Sequence, residues 1–302
     1  MPIRLGQLRN FLAVVEAGSL RAATRRAGMS QPALTRSLQQ LEDELQARLL
    51  VRSARGVSLT PAGRAFFARA RAVQEELRKA QEELDALRGG AAGSVALGIA
   101  PHLSAVVPQA MARFRENYPI AEVRIVEGVR TALLPRLREE SLDFMIAQNP
   151  GGPLPPGLRF RPLLRPALVV VGRKGHPLAK ARTLRELADA QWLVFNPPGA
   201  GGVVERAFER AQLPAPRALV HCESYATALG LMAHSDLLGL LFAQRFDDPW
   251  VERDFHRFEL RDEIPAPSLG LFLRAETPLA PAAAAMAQAL TAAVLALARR
   301  AA

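Results

Sequence analysis

A run of polar side chains near the N-terminus has the residue types and spacing needed to read DNA bases. Successive helical residues turn by about 100°, so Thr35, Arg36 and Gln39 fall on one side of a predicted helix. Arginine can form two hydrogen bonds with guanine, glutamine can pair with adenine, and threonine offers a hydroxyl and a methyl group. The candidate DNA-contacting residues of this helix are Ser30, Gln31, Pro32, Thr35, Arg36 and Gln39. On its own, the pattern fits equally well the solvated face of an ordinary three-helix bundle.

Other kinds of chemistry have little support in the sequence. His221, Cys222 and Glu223 include catalytic residue types, but neighbours along a strand point to opposite faces and cannot act together. The glycines between positions 199 and 202 lack the spacing of a dinucleotide-binding loop. The five histidines and one cysteine show no spacing typical of metal ligands. We therefore expect no catalytic residue, no metal site, no cofactor and no enzymatic activity.

Three short helices are predicted to position the base-reading face. The first has apolar residues recurring at spacings of three and four, and Gly18 ends it. Ser19 and Ser30 are suitable N-caps for the second and third helices. The leucines at positions 34, 38, 41 and 45 form a buried stripe on the third helix, opposite its polar face. This layout is typical of a recognition helix in a helix-turn-helix domain.

A basic hairpin is predicted directly after these helices. Leu49–Val51 and Val57–Leu59 form two short apolar strands, and Arg52 and Arg55 lie between them. A wing of this kind can place arginines beside phosphates or in a minor groove. Thr60 is then positioned to cap the next helix, whose first residue is a proline.

The positive charge of the chain is concentrated at its N-terminus. The whole chain has a net charge of +10, and residues 1–71 contain 12 arginines, no lysine and four acidic residues, which gives +8. This distribution predicts a polyanionic partner for the N-terminal part alone. The alternative is an arginine-rich composition that reflects a GC-rich genome.

A long helix is predicted from Gly63 to Arg88, where no further proline or glycine interrupts the chain. Its apolar residues follow the alternating spacing of four and three that is typical of a coiled coil, at Phe66, Ala70, Val73, Leu77, Ala80, Leu84 and Leu87. A single helix cannot bury such a seam, so we expect a homodimer through this linker helix. Packing against the chain's own body is the alternative. The glycine-rich residues 89–93 predict a hinge.

Specific motifs run almost without gaps through the first 65 residues. They are FLAVVEAGS at 11–19, Ala22-Ala23, SQPALT at 30–35, Leu41-Glu42, Leu49, Arg52, Arg55 and LTPAG at 59–63. In these motifs the chain resembles the DNA-binding domain of LysR-type transcriptional regulators. The resemblance implies double-stranded operator DNA as the partner. It implies contacts through the matching residues Gln31, Pro32, Thr35, Arg36, Arg52 and Arg55.

Beyond the hinge, strand and helix patterns alternate, which predicts an α/β domain with largely parallel sheets. Strands are predicted at 94–99, 123–126, 144–147, 168–171, 193–195, 219–222, 238–241 and 269–273. Helices are predicted at 103–116, 131–139, 184–188, 203–210, 225–233 and 279–298. A loop rich in proline and glycine is predicted at 149–157.

Small and hydroxyl-bearing residues follow several of these strands. In open α/β sheets, ligands lie beyond the carboxyl ends of the strands, where helix N-termini favour anions. We therefore expect a small organic anion, either a carboxylate or a sulfonate, and Arg130 could pair with its acid group. The candidate effector-contacting residues are Pro101, His102, Leu103, Ser104, Val129, Arg130, Thr131, Asn196, Pro197, Gly199, Gly201, Glu223 and Ser224. For each side chain, a role as a helix cap or solvated loop residue is an equally good interpretation.

The resemblance to LysR-type regulators continues more weakly through FRENYP at 114–119 and GHPLA at 175–179. It implies a periplasmic-binding-protein-like effector domain at 94–302, made of two Rossmann-like subdomains. These are residues 94–165 with 270–302, and residues 166–269. Ahead of them it implies a winged helix-turn-helix domain at 1–61, a linker helix at 62–88 and a hinge at 89–93.

The function implied by this resemblance is transcriptional regulation controlled by an effector. An architectural DNA-binding protein without effector and, less favoured, an enzyme on this fold are the alternatives. The segments 220–224 and 234–238 are similar to family members that control aromatic acid or sulfonate breakdown. We expect a homotetramer of two dimers, although the sequence leaves dimer and tetramer open, and RNA polymerase is a further candidate partner.

The cellular location is predicted from features of the whole chain. Its single cysteine, Cys222, allows no disulfide within the chain, which fits a reducing compartment. No secretory signal is visible, and the apolar segment 279–298 is mostly alanine, which gains little from lipid. We therefore expect a cytoplasmic protein with no membrane partner.

Overall fold

The computed structural model describes residues 3–53, 56–87, 93–195, 202–216 and 218–299. Contacts divide the chain into two units, one formed by 1–84 with 139–141 and the other by 85–138 with 142–302. Each unit contains an apolar core of its own, as expected for parts of a chain that fold around separate cores.

The N-terminal unit contains three short helices, a hairpin and one long helix. Helices α1, α2 and α3 span Leu5–Ala17, Leu20–Ala27 and Gln31–Leu45. Strands β1 and β2 span Leu50–Ser53 and Gly56–Leu59, and the long helix α4 spans Pro61–Leu87. The predicted winged helix-turn-helix followed by a long helix is therefore confirmed.

Local caps set the boundaries of these helices, as predicted. Gly18 has a φ of +66°, the left-handed conformation in which α1 ends. The hydroxyl of Ser19 accepts a hydrogen bond from the backbone N–H three residues later, and Ser30 does the same at the start of α3. Thr60 caps α4 in this way at 2.9 Å. Each bond satisfies an N–H that has no partner within its helix.

Aromatic rings and leucines form the core of the N-terminal unit. Phe11 of α1 is fully buried and meets the rings of Phe66 and Phe67 of α4 edge-on, with centroids 5.3 and 6.4 Å away. The leucines at positions 34, 38 and 41 of α3 are also fully buried. Because these leucines hold one side of α3 in the core, its opposite side is left facing solvent.

The C-terminal unit alternates strands and helices. Its strands are β3 Ser94–Ile99, β4 Glu122–Glu127, β5 Phe144–Asn149, β6 Leu158–Leu164, β7 Leu168–Arg173, β8 Gln191–Val194, β9 Ala218–His221, β10 Gly239–Phe242, β11 Phe255–Arg257 and β12 Ser268–Arg274. Its α-helices are α5 Val107–Arg115, α6 Arg130–Arg138, α7 Val203–Arg210, α8 Tyr225–Ala233, α9 Pro249–Asp254 and α10 Pro281–Arg299. Short 3-10 helices span Pro101–Val106, Leu184–Leu187 and Ala243–Asp247.

The larger sheet of this unit has five strands in the order β4-β3-β5-β12-β6. Strand β3 is parallel to β4 and β5, whereas β12 is antiparallel to β5 and β6. The alanine-rich α10 packs against α5, β3 and β6 and buries Leu290 and Val294. Among the helices of the described residues, none is long and apolar enough to cross a membrane.

The remaining strands form two smaller sheets. Strand β7 lies between β10 and β11 and is antiparallel to both, and β8 is parallel to β9. Among the described strands of this unit, four pairs are antiparallel and three are parallel, so the prediction of largely parallel sheets is wrong. Alternation along the chain favours parallel neighbours, but β12 returns from the far end of the unit and inserts between β5 and β6 in the opposite direction. The sequence pattern also misses β6, β11 and α9.

Candidate DNA interface and effector cavity

The polar face of α3 is exposed, as a base-reading surface requires. Its exposed residues are Gln31, Pro32, Arg36 and Gln39. Thr35 is half-buried on the same face, and the hydroxyl of Ser30 is used to cap the helix. The N-terminal half of α3 therefore presents donors, acceptors and a methyl group together, on a helix whose other side is fixed in the core.

The hairpin wing is held against the turn between α1 and α2. Strands β1 and β2 pair with Leu50 opposite Leu59. The backbone N–H of Val57 donates a hydrogen bond to the carbonyl of Gly18 at 2.9 Å. A Cβ atom on Gly56 would lie 2.6 Å from that carbonyl oxygen, and its φ is +123°, so this close approach requires glycine.

The two arginines of the wing are described only in part. Arg52 lies in β1, where its backbone pairs with Val57, but its side chain is outside the described residues. The whole of Arg55 also lies outside them. DNA contacts through these two side chains remain predictions.

Glu42 fixes the start of the wing relative to the recognition helix, a role that the sequence reasoning missed. Its side chain is only 5% exposed, and one carboxylate oxygen accepts hydrogen bonds from the backbone N–H groups of Leu49 (2.7 Å) and Leu50 (3.0 Å). The other oxygen pairs with Arg48 at 3.1 Å. A buried carboxylate is stable only with such partners, so Glu42 ties the end of α3 to the first strand of the wing.

A cavity of about 230 Å³ lies within the C-terminal unit, between residues that follow β3, β4 and β5 and residues of β7, β8, α7 and β10. Five of the predicted effector-contacting residues line it: Pro101, His102, Val129, Arg130 and Thr131. The other described residues that line it include Ala147, Gln148, Leu168, Leu193, Phe195, Val204, Arg206, Leu240 and Phe242. The residues that follow β3 and β4 therefore share one cavity with residues of β8 and α7, whereas the residues that follow β9 do not line it.

Four other predicted effector residues do not line this cavity. Leu103 is fully buried in the apolar core, and Ser104 lies one residue further along the same 3-10 helix. Glu223 is exposed, and the Ser224 hydroxyl caps α8 by accepting a hydrogen bond from the backbone N–H three residues later, at 3.3 Å. The remaining four predicted residues, Asn196, Pro197, Gly199 and Gly201, lie outside the described residues.

Arg206 is a functional candidate that the sequence reasoning missed. It lies in the first turn of α7, whose buried side is formed by Val204, Ala207 and Phe208. Position 206 is not on that apolar stripe, and α7 follows directly after the glycine-rich segment. These two signals in the sequence, taken together, could have identified it as a cavity residue.

The polar groups of the cavity favour a negatively charged ligand. Its lining contains Arg130 and Arg206, and none of its described residues is Asp or Glu. His102 packs edge-on against Phe242, with ring centroids 4.6 Å apart. Burial lowers the pKa of His102 to about 4, so its ring is neutral at neutral pH. The rest of the wall is mainly aliphatic and aromatic, which suits an organic body attached to an acid group.

Two family models match the chain, one for each part of this arrangement. The model described as "Bacterial regulatory helix-turn-helix protein, lysR family" matches residues 5–64. The model described as "LysR substrate binding domain" matches residues 88–294. The chain belongs to the LysR family of bacterial transcriptional regulators.

Curated relatives and solved structures agree with this assignment. The chain is 33% identical to the SDS degradation transcriptional activation protein of a Pseudomonas species, with 93% of the chain and 94% of that protein covered. It is 30% identical to the HTH-type transcriptional regulator GalR of Pseudomonas putida, over 94% of the chain and 73% of that protein. A full-length OxyR variant from Pseudomonas aeruginosa superimposes with a TM-score of 0.70 at 23% identity, covering 96% of the chain and 95% of that structure. Full-length CbnR in complex with its target DNA superimposes with a TM-score of 0.68 at 21% identity, covering 96% of the chain and 99% of that structure.

The protein is therefore a LysR-type transcriptional regulator with an N-terminal DNA-binding domain and an effector-binding domain. The relatives are regulators rather than enzymes. The solved structures show that the fold is shared, at identities too low to transfer an effector or an operator.

Proposed function

We propose that a homodimer of this chain binds double-stranded operator DNA through α3 and the wing, and that a small organic anion in the cavity changes this binding. The observation that supports DNA reading most directly is the exposed polar face of α3 within an N-terminal block of net charge +8. Phosphate contacts orient a protein on DNA, whereas contacts to base edges specify the sequence. We assign base reading to Arg36 and Gln39, and phosphate or minor-groove contacts to Arg52 and Arg55.

The proposed domain organisation follows the limits predicted from the sequence: a DNA-binding domain at 1–61, a linker helix at 62–88, a hinge at 89–93 and an effector domain at 94–302. The linker helix joins two chains through its seam, and two dimers form a tetramer. RNA polymerase is a proposed further partner of the DNA-bound protein. Val73, Leu77 and Leu84 support the dimer, because they are 44%, 38% and 54% exposed in the single chain.

Substituting one arginine of α3 and one of the wing separates the contribution of base contacts to DNA affinity from the contribution of positive charge. We expect Arg36→Ala to cost about 1–3 kcal/mol and to relax the preference for one base pair. Arg52→Ala should weaken binding to all duplexes alike and lower the slope of log affinity against log salt concentration by about one charge. The measurement is a titration across salt concentrations, with operators selected from random duplexes by the purified protein and then altered base by base.

Arg185→Ala is the matched control, because it removes one positive charge from an exposed position in the C-terminal unit. It should leave operator binding unchanged. Equal losses on every duplex for Arg36→Ala would show that α3 does not read bases through this residue.

The effector that fits the cavity is small and combines an acid group with an apolar body. A volume of about 230 Å³ lies below the range of roughly 300–1,000 Å³ that is usual for drug-sized ligands. Arg130 and Arg206 offer charge-assisted hydrogen bonds to a carboxylate or sulfonate. The name of one relative refers to degradation of SDS, an organic sulfate, which agrees with this class of ligand.

Loss of the Arg206 guanidinium should weaken anion binding strongly. A hydrogen bond to a charged group contributes about 1.5–3 kcal/mol, so Arg206→Gln should lower the affinity for benzoate or benzenesulfonate about 10- to 150-fold. Calorimetry on the full chain, with and without operator, measures this loss. An anion that changes operator affinity must have its own affinity changed by the same factor.

The control for this substitution is Arg210→Gln, four residues further along α7. Arg210 is 60% exposed and pairs with Glu263 outside the cavity, so its loss should leave anion binding unchanged. Tighter binding of benzylammonium than of the two anions, or identical anion affinities in both variants, would contradict an anion site.

A further inference from the structure

His102 is held firmly in the wall of the effector cavity. It is the second residue of the 3-10 helix Pro101–Val106, which follows β3 directly. Leu103 and Val106 of that helix are buried in the apolar core, so the helix has little freedom to turn. The edge-on packing against Phe242 then restrains the ring itself. The backbone that carries the imidazole is therefore fixed in the cavity wall.

The Nε2 atom of this ring is shut off from solvent and has no hydrogen-bond partner among the described residues. A buried polar atom without a partner costs about 1–3 kcal/mol, and such atoms are few in folded proteins. His102 also lines a cavity large enough for a ligand, so a bound molecule can supply the missing partner once the side chains that cover Nε2 adjust around it.

Burial keeps the ring neutral while the cavity holds no anion, and no acidic group of the described lining offsets this effect. Arg130 and Arg206 line the same cavity and oppose a further positive charge. The 3-10 helix, β10 and residues 281–298 of α10 contain no charged residue. On β4, Glu127 uses its carboxylate to accept a hydrogen bond from the backbone N–H of Tyr225, and it is not part of the lining. No carboxylate of the described lining can therefore stabilise an imidazolium.

We propose that an anionic effector binds in this cavity together with one proton from solvent, which His102 takes up. This inference rests on the anion site proposed above. The anion supplies the negative charge that the lining lacks, and the protonated ring donates its Nε2–H to an oxygen of the anion. No covalent bond forms or breaks apart from the N–H bond made by the proton. His102 thereby sets both the pH dependence of effector binding and a preference for ligands that can accept this hydrogen bond.

The sign of the pH effect follows from the two protonation states. The pKa of His102 is about 4 in the free cavity and rises when an anion binds beside it. Affinity is therefore highest at low pH and falls as pH rises through the pKa of the complex. One coupled proton changes affinity by at most about tenfold per pH unit. We expect affinity to rise about three- to tenfold from pH 7.5 to pH 5.5.

Calorimetry with the full chain tests the proposal directly. Benzenesulfonate and benzoate are titrated at several pH values between 5.5 and 8, each in two buffers that differ in ionisation enthalpy. The difference in heat between the buffers gives the number of protons taken up. Benzenesulfonate stays ionised throughout this range, so it contributes no proton of its own. Uptake that increases towards one proton at pH 5.5 is the expected result.

His102→Gln provides the matched variant, because glutamine can form hydrogen bonds but does not titrate. It should bind the anions with no proton uptake at this site and with a flatter pH profile. His221 and His234 are present in both proteins, so the difference isolates His102. Thermal unfolding without ligand checks that this variant is folded.

Three results would overturn the proposal: no proton uptake by the wild-type protein, equal uptake by His102→Gln, or no binding of either anion. The buffer comparison on the wild-type protein decides the question even if the variant is unstable. Operator binding in the absence of ligand is measured separately, so failure of the proton linkage leaves the proposed DNA-binding function standing.

Discussion

Leu77→Asp combined with Leu84→Asp is expected to convert the dimer into a monomer. The two leucines are 38% and 54% exposed in the single chain and lie seven residues apart on the seam of α4. In a paired helix each aspartate would be buried without a partner, at a cost of several kcal/mol per charge. Sedimentation should show half as many chains per particle as in the wild-type protein: one where the wild type is a dimer, and two where it forms the proposed tetramer.

Operator binding should fall with the loss of the dimer. Joining two binding modules raises overall affinity about 10²- to 10⁴-fold, so a monomer that reads one half-site should bind a complete operator weaker by that factor. Operator titration on the same sample measures the loss. The size of the loss in operator affinity, compared with the fraction of monomer in the sample, tests whether the linker acts by joining two DNA-binding domains.

Lys79→Asp is the control, because it makes the same change in net charge at a position about 200° around the helix from Leu77. This variant should remain a dimer. A double aspartate variant that also remains a dimer would place the interface elsewhere on the chain, and the apolar seam would then have no partner.

Gly63→Ala is expected to unfold the DNA-binding unit or to lower its stability severely. A Cβ atom at this position would lie 2.0 Å from the carbonyl oxygen of Leu49 and 3.1 Å from the side chain of Leu59. Real Cβ atoms never approach a backbone oxygen so closely, so α4 would have to move away from the wing. The backbone N–H of Gly63 also donates a hydrogen bond to the Thr60 hydroxyl that caps α4, so a movement of α4 would strain this bond as well.

Overpacking of a folded core typically costs about 1–3 kcal/mol, and this overlap with backbone places Gly63→Ala at or above the upper end of that range. Chemical denaturation followed by helical circular dichroism measures the change. Gly6→Ala is the control, because no atom beyond its chain neighbours and the backbone of α1 lies within 4 Å of its Cβ position. It should be neutral or stabilising by up to about 1 kcal/mol, as alanine favours helix. Equal stability of the two variants would contradict the close approach of α4 to β1.

Local signals made the N-terminal unit predictable. The caps Ser19, Ser30 and Thr60 act on backbone groups only three residues away, and Gly18 adopts its left-handed turn because of its own lack of a Cβ. The stripe on α3 repeats over a few turns of one helix. Interactions of such short range can be recognised from residue types and spacing alone. The role of Glu42 escaped prediction because its partners lie on a separate strand that only folding brings near.

In the C-terminal unit the sequence predicted most strands but not their neighbours. Apolar runs identify a strand wherever it pairs, whereas its partner depends on the path of the whole chain. Strand β12 lies between β5 and β6, more than 100 residues earlier in the chain, and no local pattern specifies this. Strand β6 was missed because Pro162 interrupts it, although a position near the sheet edge, with β12 as its one neighbour, tolerates a missing N–H.

One part of the effector site was likewise predictable from local signals, and the other part was determined by tertiary packing. Residue types and strand ends predicted Arg130, Thr131 and His102, which line the cavity, because the parallel strands β3, β4 and β5 bring their carboxyl ends to one edge. The packing of β7, α7 and β10 against that edge determined which side chains share the cavity, so Arg206 joined it while Ser104 and Ser224 did not. Spacing along the chain specifies which side of an element a residue occupies. Long-range packing specifies which other element that side of a helix or strand contacts. The cavity exists only where the surfaces of two such elements face each other.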